Sequence, residues 1–204
     1  MDTDQRNVQL GDKLTESLLQ VNKMLFKMPP ALGISNQRTH VVDYAQQSTY
    51  TNGETIVFDV QSPGTSFVDP RNSYLRLKVS PNADADFATG SVANVINRIL
   101  VRTRTGKEIC RLENANLCTK FMQAYDCPED WEKTLGKAQG YNPGAATVPA
   151  AGKVFILPLW VIPCFSVEKT LPPQMTQGMR IELVLESPAT ALKASPAITS
   201  YSVD

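Results

Sequence analysis

The side chains that could do chemistry are few and scattered. His40 is the only histidine among 204 residues, so a Ser-His-Asp or Cys-His nucleophilic set would have to recruit it. It lies in a polar stretch upstream of the strand-like part of the chain, outside the expected core. The four cysteines, Cys110, Cys118, Cys127 and Cys164, show no C-x-x-C spacing and so give no sign of a zinc site. Cys110 and Cys164 fall in apolar runs, where a reduced cysteine acts as a small hydrophobe. Asp59, Asp69, Glu182 and Glu186 could in type supply the carboxylate pair of a glycoside hydrolase, but carboxylates alternating with apolar residues are also the ordinary solvent face of a strand. No G-x-x-x-x-G-K-[ST] or G-x-G-x-x-G cradle is present. Trp160 follows the apolar run Phe155–Leu159 and reads as core. Trp131, set among Glu129, Asp130 and Glu132, is the ring a glycan could stack on, with Tyr141 beyond it. These residues describe a chain without a catalytic set, and no enzyme activity, metal, cofactor or small-molecule substrate is expected.

Charge points the same way. Lys plus Arg and Asp plus Glu both number 20, giving zero formal net charge. Proteins that coat nucleic acid draw their sequence-independent affinity from a basic stripe or arm, and the first thirty residues instead balance Asp2, Asp4, Asp12 and Glu16 against Arg6, Lys13, Lys23 and Lys27. The acidic start Met1-Asp2-Thr3-Asp4 is unlike a secretory signal, and no apolar run is long enough to span a bilayer. Synthesis in the cytosol or nucleus is expected.

The elements that would position these residues are mainly strands. Val8–Met28 is the exception: Leu10, Leu14, Leu18, Val21, Leu25 and Met28 recur at helical spacing, with acids early and lysines late as the helix dipole favours, and Pro29-Pro30 ends the helix. An amphipathic helix of this kind packs on its own domain, on a neighbouring subunit or on a membrane, and its balanced charge favours the first two. A polar arm follows, so the expected division is 1–52 for helix and arm and 53–204 for one β domain. Thr55–Val60 reads as a strand, and Ser73–Val79 alternates with Leu75, Leu77 and Val79 inward. Val95–Thr103 and Lys107–Glu113 read as a hairpin about Thr105-Gly106, and Asn116–Tyr125 as a short helix with Leu117, Phe121, Met122 and Tyr125 on one side. The interval Asp126–Gly152 reads as a long loop, functional or mobile.

Lys153–Glu186 fixes the architecture. Its first run is apolar almost throughout and its second, Met179–Leu185, alternates as a half-buried strand. Pro158 and Pro163 cannot donate to a ladder, so the first strand must be broken, bulged or at an edge. A kinked strand, a crossing and a return strand follow, as in a Greek-key sandwich. Outward Arg180, Glu182 and Glu186 are then candidates for subunit contacts. Tyr201–Asp204 reads as a closing edge strand, or as a boundary within a longer polypeptide.

The order of these segments resembles the jelly-roll capsid proteins of the double-stranded DNA virus lineage that includes adenoviruses, virophages, polinton-like viruses and large DNA viruses. The likeness covers Gly53–Asp204: Gly53–Val60 after a polar arm, Phe67–Leu77, Ile99–Ile109 with a short helix behind it, then the Leu157-Pro158-Leu159 and Leu171-Pro172-Pro173 pair before the Ile181 strand. It implies an antiparallel jelly-roll sandwich, either a single-roll penton-type protein or the first roll of a major capsid protein. It further implies a structural role in an icosahedral virion by self-association into trimers, pentamers or a shell with other capsid proteins, and at most weak contact with an inner membrane or genome. The helix of Val8–Met28 would be an inner-surface or inter-subunit contact. The alternative is a lectin-like sandwich using Trp131 and Tyr141, and a third reading is a hydrolase using Asp59 and Glu182.

Overall fold

A computed structural model describes residues 41–61, 67–88, 90–126, 129–141, 147–167, 169–194 and 197–204. By its internal contacts the chain separates into residues 1–41 and 42–204, and the described elements belong to the second unit. His40 and the expected helix Val8–Met28 lie outside the described residues.

Eleven strands are present among the described residues: β1 (Tyr50–Thr51), β2 (Thr55–Val60), β3 (Tyr74–Pro81), β4 (Ala85–Phe87), β5 (Ile96–Arg102), β6 (Glu108–Leu112), β7 (Thr147–Val148), β8 (Lys153–Pro158), β9 (Met179–Leu185), β10 (Leu192–Lys193) and β11 (Tyr201–Val203). One four-stranded sheet runs β1-β11-β3-β8 and another β2-β9-β5-β6, while β10-β4-β7 form a small third sheet. All the pairings are antiparallel. With the small sheet set aside as an insertion, the eight remaining strands pair as nested brackets: first with eighth (β1 with β11), second with seventh (β2 with β9), third with sixth (β3 with β8) and fourth with fifth (β5 with β6). Successive brackets alternate between the two sheets, which is the wrapping of a jelly roll.

The period-2 patterns build the core. In β9, Met179, Ile181, Leu183 and Leu185 are buried, and in β3 Leu75, Leu77 and Val79 are; the same core takes in Ile56, Ile99, Val101, Phe155 and Leu157. β8 is an edge strand, and Pro158 stands at its end opposite Tyr74, where a missing N–H is tolerated. Two 3-10 turns follow, Leu159–Val161 and Pro163–Phe165, and carry the chain across to the other sheet as the proline positions predict. The outcome at the last strand differs from the expected closing edge: β11 lies inside its sheet, between β1 and β3.

The interval 126–152 also differs from a bare loop. Glu129–Trp131 is helical and continues through a π turn, Glu132–Gly136, and β7 lies within the same interval. The reason is burial. Trp131, Gln139 and Val148 are all buried, so this segment is held by packing that its small, polar composition does not announce.

Two ties cross between the sheets. The Tyr201 hydroxyl of β11 donates to the Glu186 carbonyl at 2.5 Å, with the Val95 carbonyl at 3.4 Å, and burial pushes its phenol well above the ordinary range. Gly140, at φ +74°, sits against the edge-to-face pair Phe87–Phe155, whose ring centroids are 5.0 Å apart; an added Cβ would come within 2.7 Å of Phe155 and 2.8 Å of Phe87. Tyr201→Phe is expected to cost about 1 kcal/mol. Gly140→Ala is expected to cost at least about 1–3 kcal/mol, because the left-handed backbone and the ring clash add. Thermal unfolding of both variants checks this order.

Candidate assembly surface

The helix α1 (Ala115–Asp126) follows β6 through Asn114, whose φ is +50°, a left-handed position Asn tolerates. It packs against β5 and the 3-10 turn Val92–Val95. The side it turns inward is the polar one. Asn116, Thr119 and Gln123 are buried beside Ala115, and each polar group is answered: Thr119 Oγ1 donates to the Ala115 carbonyl at 2.7 Å, Gln123 Nε2 to Gln139 Oε1 at 2.8 Å, and Asn116 Nδ2 to Glu186 Oε2 at 3.2 Å. Unanswered, such burial would cost on the order of 1–3 kcal/mol per group.

The opposite side carries the large apolar residues. Leu117 is 47 % exposed, Phe121 61 % and Tyr125 82 %. The Phe121 and Tyr125 rings lie nearly parallel, with centroids 6.4 Å apart. The i, i+4, i+8 spacing of these three is visible in the sequence, and it is their orientation that only the structure shows. On the other side Asn116, Thr119 and Gln123 recur at i, i+3, i+7, and Asn116 and Gln123 meet Glu186 and Gln139, distant in sequence, so that this side takes the inward position.

Arg180 and Glu182 lie on strand β9 of the β2-β9-β5-β6 sheet, but with intramolecular partners. Asp59, Arg180 and Arg102 are direct cross-strand neighbours. Two arginines side by side would repel, and carboxylates flank them. Arg180 Nε donates to Asp59 Oδ1 at 2.8 Å with Nη2 3.4 Å from Oδ2, while Arg102 Nε lies 3.4 Å from Glu182 Oε1. These side chains and Arg104 border a groove of about 350 Å³. Glu186 is elsewhere, its carboxylate accepting from Asn116 and from its neighbour Ser187. Leu10, Leu14, Leu18, Val21, Leu25 and Met28 lie outside the described residues.

Trp131 and Tyr141 are brought together, ring centroids 5.2 Å apart, but Trp131 is only 7 % exposed and its ring is not offered to solvent. Asp69 caps the turn Pro70–Asn72 by accepting from the Arg71 N–H, and Asp59 is committed to Arg180. Among the described residues no three His, Cys, Asp or Glu side chains group as metal ligands, and no helix is long and apolar enough to cross a membrane.

The nested pairing and this surface define a jelly-roll domain with an exposed apolar helix face. No protein-family model and no curated protein matches the sequence. Among solved structures, the chain is similar to one from the Sputnik virophage determined by cryo-electron microscopy (12 % identity, 87 % of this chain and 51 % of that one, TM-score 0.45). It is also similar to a chain of the PBCV-1 virus capsid (10 % identity, 85 % and 44 %, TM-score 0.44) and to the STIV MCP (13 % identity, 79 % and 46 %, TM-score 0.37). The chain thus spans about half the length of these proteins, and the fold assignment rests on its own strand pairing.

The Asp59 carboxyl is held below its ordinary 3.8 chiefly by the hydrogen bond from Arg180. A lowered folded pKa means that its contribution to stability is present above the ordinary carboxylate value and lost as pH falls through the lowered one. Chemical denaturation of wild type and Asp59→Asn across pH is expected to show a small wild-type margin at neutral pH that shrinks below 3.8 and disappears on protonation. It should also shrink with salt, because the pair is solvent-exposed.

Proposed function

We propose that this chain is a structural capsid protein that works by self-association into an icosahedral virion shell, without a catalytic step. The observation that carries the reading is α1: Asn116, Thr119 and Gln123 are buried and hydrogen-bonded while Leu117, Phe121 and Tyr125 stand in solvent. Folding has thus left apolar area for another chain to cover, and contiguous patches of this kind mark interaction sites. The jelly roll is an architecture used by viral capsid and lectin domains. The lectin-like alternative depended on Trp131 and Tyr141, and the burial of Trp131 favours the capsid reading over it.

In this proposal α1 is one subunit contact and the segment Val8–Met28, with its apolar stripe, is a second. Arg180, Glu182 and Glu186 join contacts through whatever hydrogen-bonding capacity their internal pairs leave. The partners are further copies, as trimer, pentamer or shell, together with other capsid proteins. Contact with an inner membrane or genome is weak. The protein resides in the virion after synthesis in the host cytoplasm or nucleus.

Light scattering coupled to size exclusion, with negative-stain electron microscopy, tests this. The purified protein should form trimers, pentamers or larger particles, and Phe121→Glu/Tyr125→Glu should shift them toward monomer with little change in the unfolding midpoint. Deleting residues 1–30 should impair assembly more than folding. A wild type that stays monomeric at all salt concentrations would sink the proposal.

A further inference from the structure

Two thiols that the assembly reading does not use stand next to each other. Cys110 lies in the middle of β6, opposite Val101 of β5. Cys164 lies in the middle of the turn Pro163–Phe165, within the crossing from β8 to β9. β6 packs against that turn, both residues border the core, and the Cys110 thiol is close enough to Cys164 to disfavour its ionisation. Both are free and half-buried. They are 54 positions apart (164 minus 110), so nothing in their local sequence pairs them. Of the other two cysteines, Cys118 points its thiol at the Glu113 carbonyl, and Cys127 lies outside the described residues.

We propose that Cys110 and Cys164 form an oxidation site, closing an intramolecular disulfide that staples β6 to the crossing between the two sheets. The oxidant is a low-molecular-weight disulfide, of the class of glutathione disulfide. The Cys110 thiolate attacks one of its sulfurs, an S–S bond of the reagent breaks, and one thiolate departs and takes up a proton. Cys164 then gives up its proton and attacks the Cys110 sulfur of the mixed disulfide, and the second reagent thiol leaves. Two electrons pass from the protein to the reagent, two protein thiols become one disulfide, and one reagent disulfide becomes two thiols. Burial, with the neighbouring Cys110, pushes the Cys164 thiol up to about 12, which slows its ionisation in the second step.

The staple falls where it has mechanical value. β6 is the edge of the β2-β9-β5-β6 sheet, and edge strands separate first and recruit unwanted partners. α1 starts three residues after β6 ends (115 minus 112), so fixing β6 also fixes the root of the exposed apolar helix. A chain folded under reducing conditions would close the bond on reaching an oxidising medium. This site stands independently of the capsid reading.

The test uses the full chain carrying Cys118→Ser and Cys127→Ser, so that only the two thiols remain, incubated with glutathione disulfide or with dithiothreitol. The expected result is an intact mass lower by two hydrogens, a Cys110–Cys164 linked peptide after non-reducing digestion, and an unfolding midpoint raised by roughly 5–10 °C and returned by dithiothreitol. Cys110→Ala/Cys164→Ala in the same background should give no oxidant-dependent shift and shows whether the pair is needed for folding. A stable glutathione adduct on Cys110, two thiols that remain free for alkylation under native oxidising conditions, or a link only between chains would overturn the proposal.

Discussion

Strand β9 is paired on both sides, from Thr55↔Val184 to Val60↔Met179 with β2 and from Ile96↔Leu185 to Arg102↔Arg180 with β5, while its alternate residues Met179, Ile181, Leu183 and Leu185 enter the core. Register and burial are therefore fixed together. A slip by one residue would turn the four apolar side chains to solvent and carry Arg180 and Glu182 into the interior. β2 and β5 take their places from β9, and β6 takes its place from β5. The pairing that spans the greatest sequence distance, β1 with β11, closes the wrapping.

Proline placement decides how the chain leaves one sheet for the other. Pro158 ends β8 at an edge, and the turns Leu159–Val161 and Pro163–Phe165 keep Leu159, Val161, Ile162 and Phe165 buried while the backbone changes direction. The crossing is consequently a packed part of the core, which is why a residue as far along the chain as Cys164 meets β6. The isolated bridge Val68↔Leu171 ties its later part to the segment after β2.

The helix α1 shows the limit of amphipathic patterning. Ranked by hydropathy, Leu117, Phe121 and Tyr125 should be inside and Asn116, Thr119 and Gln123 outside. The structure reverses them because Gln139 and Glu186 supply partners for two of the polar groups, and Thr119 returns its hydrogen bond to its own helix. A buried amide with a partner is tolerable, whereas exposed rings cost little until a second surface is available to cover them. Trp131 is also inside, in a segment rich in charge, and there the ring contact with Tyr141 accompanies a buried indole N–H that has no hydrogen-bond partner among the described residues.

Much of this was legible locally. The alternation in Ser73–Val79 and Met179–Leu185, the Thr105-Gly106 hairpin turn and the proline breaks each depend on neighbours within a few residues, and the structure shows them where the pattern places them. Sequence by itself therefore determined strands β2, β3, β5, β6, β8 and β9, the inward faces of β3 and β9, the helix near residues 115–126 and the crossing after β8, but not the short strands β1, β4, β7 and β10. Tertiary structure alone decided which strands became neighbours, that β11 lies between β1 and β3, which side of α1 faces solvent, that Asp59 meets Arg180, and that the turn carrying Cys164 packs on the strand carrying Cys110. The physical reason is the same in each case: a period of two or 3.6 reports how one segment divides its own faces, whereas a partner far along the chain is chosen by the energy of the whole packed arrangement.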